Sequence, residues 1–508
     1  MVISKVSPAV PVAAHPKAAP PASPPMAANL AHHLSTESKL RQASMLKISS
    51  SRLSKDPLLL SLAAGLPSPT LFPIESVTTS VVLPISEAER VSGKWFHDGL
   101  QAGVLKDVGK AKNSKALGVT AYDLSQALQY EQGTGAKQLV EFWKEHVELV
   151  HKPKYADWNT IMSGGNTQAM ETVFRMLINP GDYMVLEEFA FPETVDSLRP
   201  LQTRRIGIPV DEEGMRPDVL EDMLATWDED ARGGTRPHVL YMVPSGQNPT
   251  GATIGTERRK KIYDIAQRYD LIIIEDDPYY FLQMPDYIRD RDYEHVPVPT
   301  TNAEFLSALV PSMLSLDTDG RVVRLDSLAK IVAPGTRCGF ITANSVFAER
   351  ILRHNEVGLQ FPSGLSMAVV HGLLADAWGQ ETFLNWLVNI RAEYTVRRDR
   401  MLDAMEDYLP KEVASWAAPS AGMFVWIELA YPAHPHSADL CIEEIENEIF
   451  EAGIANKVLI LPGTWFKTTD VPSRGIFFRA TYAAVSPENI DLAIKRFGEV
   501  VQRSFGLV

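Results

Sequence analysis

Cysteine is nearly absent, with Cys338 and Cys441 the only two in 508 residues. Two thiols cannot build a disulfide framework, and no Asn-x-Ser/Thr acceptor survives the exclusion of proline from its middle position. Both absences suit a reducing, cytoplasmic setting. Positive charge is also short: 49 Lys and Arg stand against 63 Asp and Glu, for a formal net charge of −14. That balance disfavours a nucleic-acid or anionic-membrane surface, which needs clustered cations. No apolar run approaches the roughly 20 residues of a membrane-spanning helix.

Acids are missing from the start of the chain. "SPAVPVAAHPKAAPPASPPMAANLAHH" is rich in Pro and Ala, and no Asp or Glu occurs before Glu37. This composition predicts a disordered tail or semi-rigid tether over residues 1–36. Transit peptides are acid-poor too, but this segment has no arginine before Arg41 and little amphipathic pattern.

The remainder is ordinary globular material, 45% hydrophobic and 22% charged, long enough for two or three domains. From about 120 to 345, β-branched runs alternate with helical ones. "TIMSGG" (160–165), "YMVLEE" (183–188), "HVLYMVP" (238–244), "LIIIEDD" (271–277), "RVVRLDS" (321–327) and "CGFITAN" (338–344) read as strands. Nearly continuous apolar strands separated by amphipathic helices imply a mainly parallel sheet buried on both faces. After about 350, long helical stretches and the alternating "GMFVWIEL" and "IFFRATYA" imply a smaller α+β domain. The polar, Pro-bearing segment around 286–310 reads as a peripheral insertion.

Open α/β sheets bind ligands at the carboxyl ends of their strands. Those ends carry Gly164-Gly165-Asn166-Thr167, Gln247-Asn248-Pro249, Asp276 through Tyr280, and Ser327 to Lys330. A glycine pair opening a helix is an anion seat. A lysine beside such a seat, with a carboxylate opposite, suits pyridoxal 5'-phosphate: the amine condenses with the aldehyde, and the carboxylate keeps the pyridine nitrogen protonated. An arginine would clamp an amino-acid carboxylate with two parallel hydrogen bonds.

These stretches, with "SLAAGLPSPTLFP", "LQYEQGTGAKQL", "SGGNTQAMETVFRMLINPGD", "VPSGQNPTG", "IIIEDDPYYFLQ", "RLDSLAKIVAPGTRCGF", "PSAGMFVWIEL" and "FFRATYAAVSPE", resemble the fold-type I pyridoxal-phosphate aminotransferases. Within them the branch is that of fungal aromatic amino-acid and kynurenine/aminoadipate aminotransferases. The resemblance runs in order from about residue 40 to 505. It implies an aspartate aminotransferase-like fold: a mainly parallel seven-stranded sheet in a large cofactor-binding domain (116–350), an N-terminal arm with part of the small domain (37–115), and a C-terminal small α+β domain (351–508).

The resemblance also implies roles. Lys330 holds the cofactor and moves the proton; Asp277 pairs with the ring nitrogen; Tyr280 and Asn248 reach the ring hydroxyl oxygen; Phe191 stacks on the ring. Asn166, Thr167, Ser327 and Arg337 bind the phosphate, joined by Tyr130 from a neighbouring subunit of a homodimer. Arg479 clamps the substrate carboxylate, with Asn248 beside it and Gly65 closing over it; the arm "RQASMLK" (41–47) leading to Gly65 is the mobile element expected there. Ala329 stands where many relatives carry serine, which removes one phosphate contact.

Each residue also has a plainer reading. A lone lysine is usually solvated, Asp277 could cap a helix before Pro278, and Tyr280 or Phe424 could be core aromatics. "QGTGAKQ" (132–138) lacks the third glycine and the preceding strand of a dinucleotide loop. The implied activity is transamination between Phe, Tyr or Trp and a 2-oxo acid such as 2-oxoglutarate, with kynurenine or 2-aminoadipate as alternative donors. A lyase or synthase of the same fold is a further alternative. A regulatory protein with a degenerate domain would need a basic DNA-binding module, for which residues 1–40 are too short.

Overall fold

The computed structural model describes residues 23–45, 47–48, 65–93, 101–109, 122–293 and 296–508. Residues 1–22 of the expected tail lie outside them, as do residue 46 and residues 49–64 of the arm.

Seven strands form the central sheet, in the spatial order Trp158–Ser163, Gly339–Asn344, Val322–Ser327, Ile272–Asp276, Val239–Met242, Tyr183–Glu187 and Arg204–Ile208. Gly339–Asn344 runs antiparallel to both of its neighbours, and the remaining pairs are parallel. Every residue of the four strands beginning at Val239, Ile272, Val322 and Gly339 is buried, as their β-branched runs require. Successive side chains go to opposite cores. Ile273 packs on one side with Val322 and Tyr280, while Ile272 and Ile274 pack on the other with Val323 and Tyr279.

A third core belongs to a four-stranded antiparallel sheet ordered Ala414–Trp416, Phe424–Leu429, Ile476–Thr481 and Leu461–Pro462. The helix Gly379–Tyr408 joins the two bodies. Its Phe383, Leu384, Leu387 and Val388 enter the large core, and Met401, Leu402 and Met405 enter the small one. The cores therefore divide near 400, along a continuous helix, rather than at 351. Val81, in the hairpin of Ser76–Leu83 with Gln101–Gly109, also packs with the large core. This part of the 37–115 arm joins the large domain, not the small one.

Two more expectations need correction. Residues 23–36 of the expected disordered tail form a fixed strap. Leu30 and Leu34 are buried, Ala156 N–H donates to the Pro25 carbonyl, Ala28 N–H to that of Asp319, and Ser35 N–H to that of Met176. Two leucines and paired backbone groups outweigh the composition around them. The 286–310 segment is likewise anchored. Phe305 is fully buried in the large core, Tyr287 donates to Asp403 at 2.6 Å, and Arg291 meets Asp399 at 2.7 Å.

Candidate active site

A cavity of about 440 Å³ opens at the carboxyl ends of the central strands, under the small domain. Its floor is the start of helix Asn166–Leu177. Gly165, at φ +95°, turns the chain into that helix, and a Cβ there would stand 2.8 Å from Nη2 of Arg337. Arg337, in a left-handed conformation at φ +48°, donates from Nη2 to the Gly164 carbonyl at 2.6 Å. The first N–H groups of the helix thus open beside a guanidinium, a seat for an anion. Thr167, Ser327 and Lys330 line the same end. The Ser327 hydroxyl accepts from Ala329 N–H at 3.1 Å.

Lys330 is half-buried; burial first, then the charges of Arg479 and Arg337, hold its amine below the usual lysine range. Arg479 rises from strand Ile476–Thr481. Its guanidinium lies over Phe424 at 4.5 Å and Phe466 at 4.6 Å, and it donates from Nη1 to Asn248 Oδ1 at 2.8 Å. Its Nε is buried without a hydrogen-bond partner. Phe191, Met170, Val243 and Met423 supply apolar wall.

The carboxylate facing this cavity is Asp276, not Asp277. Asp276 accepts from Tyr241 at 2.6 Å and from Asn166 Nδ2 at 2.6 Å, while burial raises its pKa against those bonds. Asp277 turns behind the sheet, where it accepts from Ser245 at 3.0 Å and lies 3.5 Å from Arg324. Arg324 also pairs with Glu275 and Asp326, and it sits 4.7 Å over the Tyr280 ring. Tyr280 is therefore part of that rear cluster, and Tyr279 lines the cavity with Asn248 beside its hydroxyl. The expected Asp277–Tyr280 pair is replaced by Asp276–Tyr279. A shift of one residue along a strand reverses the face, and the doubled "DDPYY" offers the same three-residue offset in both registers.

Asn166 needs a smaller correction. Its side chain holds Asp276 and the Leu325 carbonyl, which leaves its backbone N–H for an anion. Gly65 is exposed, with nothing within 4 Å of where a Cβ would stand, and it is not among the residues lining the cavity. Tyr130 is 62% exposed and likewise outside the cavity of its own chain. Sequence reading missed Asp276, Tyr279 and the supporting Tyr241. The signal available was parity, since Glu275 and Asp277 share one side of their strand and Asp276 takes the other.

The sequence profile described as aminotransferase class I and II matches residues 97–497. The chain belongs to this family. An aromatic amino acid aminotransferase of Schizosaccharomyces pombe is 42% identical over 479 residues, covering 94% of this chain and 98% of the relative. A mitochondrial kynurenine/alpha-aminoadipate aminotransferase of Bos taurus is 30% identical over 487 residues, covering 94% of this chain and 100% of the relative. The crystal structure of aminotransferase Aro8 from Candida albicans superposes with a TM-score of 0.85 at 38% identity, over 95% of this chain and 100% of that one. Aminotransferases of this class depend on pyridoxal phosphate. The donor set fits that molecule: a helix N-terminus with Arg337 for the phosphate, the Lys330 amine for the aldehyde, and Asp276 for a protonated ring nitrogen. Among the described residues, no helix of this aminotransferase is long and apolar enough to cross a membrane.

Proposed function

We propose that the protein transfers the amino group of an aromatic amino acid (Phe, Tyr or Trp) to a 2-oxo acid such as 2-oxoglutarate. Convergence of Lys330, Arg479 and Asp276 on one apolar-walled cavity carries this reading. When bound, pyridoxal phosphate supplies an electron sink for the carbanion formed at the substrate Cα. The residues around it do the rest.

Arg479 receives the substrate carboxylate in a two-bond clamp, with its unpartnered Nε available for one of them. The Phe424 and Phe466 rings on which it lies restrict its plane. Lys330 Nζ, once substrate has displaced it, would move a proton between the substrate Cα and the aldehyde-derived carbon of the cofactor. Its lowered basicity suits a group that must both accept and release a proton near neutrality. Asp276, buried and oriented by Tyr241 and Asn166, holds the ring-nitrogen proton. Tyr279 and Asn248 serve the ring hydroxyl oxygen, Phe191 the ring face, and Thr167, Ser327 and Arg337 the phosphate. Thr167 and Arg337 are exposed in the single chain. A second subunit bringing its Tyr130 over that side completes the seat, so the active form is a homodimer. The scarcity of cysteine suits a reducing setting and supports a cytoplasmic reading.

Kynurenine or 2-aminoadipate is the second reading, favoured by the bovine relative. The test is the visible absorption of the purified holoenzyme with Phe, Tyr, Trp, kynurenine, 2-aminoadipate and Ala added singly, without oxo acid. Loss of the yellow band with the aromatics, and its return with 2-oxoglutarate, is the expected result. Loss only with kynurenine or aminoadipate would transfer the assignment to them. A band that no donor alters would favour a lyase.

A further inference from the structure

Away from the cavity, the N-terminal strap meets the large domain through an unusual set of side chains. His32 and His33 end the short turn Ala31–His33, and Asp270, at φ +54°, precedes strand Ile272–Asp276. His32 Nε2 lies 2.8 Å from Asp270 Oδ2, and His33 Nε2 lies 3.1 Å from Asp270 Oδ1. The three ligand atoms fall within 4.8 Å of one another.

A single His–Asp hydrogen bond is an ordinary latch, and His32 would suffice for it. The second histidine is what a latch leaves unexplained. The His33 side chain is 3% exposed, yet its Nε2 makes no hydrogen bond of acceptable geometry while aimed at the same carboxylate.

We propose that His32, His33 and Asp270 form a three-ligand site for a divalent transition-metal ion of the zinc class. Two imidazole nitrogens and one carboxylate oxygen suit zinc and disfavour magnesium or calcium, which prefer oxygen ligands throughout. A fourth position opens toward the basin lined by Trp227, Glu229 and His238. Metal bonds of about 2.0–2.2 Å place tetrahedral ligands slightly farther apart than the two short contacts here. His32, 57% exposed, is free to make that adjustment.

Cationic side chains oppose the ion: Lys39 and Arg236 line the same basin, and Arg321 is nearest the carboxylate, with its Nη1 3.6 Å from Asp270 Oδ1. That guanidinium is already engaged by Asp319 and by the carbonyls of Ala266 and Leu271, so it weakens the site without filling it. An ion here would tie the strap from residue 23 to 40 onto the turn at Asp270.

The test is calorimetric titration of the full-length holoenzyme with Zn²⁺, with Mg²⁺ as control, beside His32→Gln, His33→Ala and Asp270→Asn. The expected result is Zn²⁺ binding that weakens at least about tenfold in each variant, with loss of the Zn²⁺-induced rise in melting temperature. Mg²⁺ should have no such effect. His32→Gln decides the matter if the other two fold poorly, because its side chain is mostly solvated. Undiminished Zn²⁺ binding in His32→Gln, or no Zn²⁺ binding to the unmodified enzyme, would overturn the proposal.

Discussion

Asp276 and Asp277 are chain neighbours whose carboxylates serve opposite sides of the central sheet. Asp276 is held by Tyr241 and Asn166 at the cavity, while Asp277 is held by Ser245 against Arg324 behind it. The two amide variants should therefore separate. Asp276→Asn is expected to lower kcat/KM on the order of 10²–10³-fold with little change in melting temperature, the scale of losing one preorganised electrostatic partner. Asp277→Asn should keep its kinetics and lose about 1–3 kcal/mol of stability, because Arg324 retains only part of its buried charge pairing. Steady-state kinetics and thermal melts of both variants check the pair. A reversed pattern would restore Asp277 to the ring nitrogen.

Arg479 separates binding from chemistry. Replacement by lysine keeps the charge but cannot reproduce a planar two-bond clamp, and it removes the stacking on Phe424 and Phe466. Loss of a charge-assisted hydrogen bond of about 1.5–3 kcal/mol raises KM for the amino-acid donor roughly 10–100-fold. Cofactor affinity should stay close to that of the unmodified enzyme. Donor titrations of Arg479→Lys, followed by absorbance, give both quantities.

The strands around the site were legible because their buried runs are β-branched and end in glycine, proline or acid. The Arg204–Ile208 strand was not, since an edge strand reading "RRIGI" carries two arginines and a glycine where an interior strand has apolar residues. Within the site, Lys330, Arg479, Asn248, Thr167, Ser327, Arg337 and Phe191 were found by motif and do line one cavity. The acid and tyrosine were misplaced by one residue, because spacing is blind to which face a strand residue takes. The ordered strap at 23–36 escaped notice because two leucines and three backbone contacts barely alter composition. Gly65 and Tyr130, expected from the same motifs, do not line this cavity in the single chain.

The 286–310 segment should resist removal. Phe305 fills the large core from this segment, while Tyr287 and Arg291 fasten it to Asp403 and Asp399 on the long connecting helix. Phe305→Ala leaves a cavity that costs about 3–5 kcal/mol. Urea denaturation of the variant measures that loss, and a change under about 1 kcal/mol would mark the segment as peripheral after all.

Glu187 sets a pH dependence through the turn that carries Asn248. Its Oε2 accepts from Val243 N–H and Gln247 Nε2, both at 3.2 Å, and its Oε1 is buried without a partner. Burial, against those two bonds and with the nearby Asp276 charge adding to it, raises its pKa from 4.5 to about 8. The folded protein therefore holds this proton more tightly than the unfolded chain does. Its stabilising contribution is complete below pH 4.5, declines as pH rises, and is gone above about 8. Glu187→Gln can keep both accepted bonds on its amide oxygen while removing the ionisation. The variant should melt at a temperature that falls less between pH 5 and 8, and it should be the more stable of the two proteins at pH 8. Melting curves of both proteins across that range decide it, and parallel slopes would mean that Glu187 is already ionised in the fold.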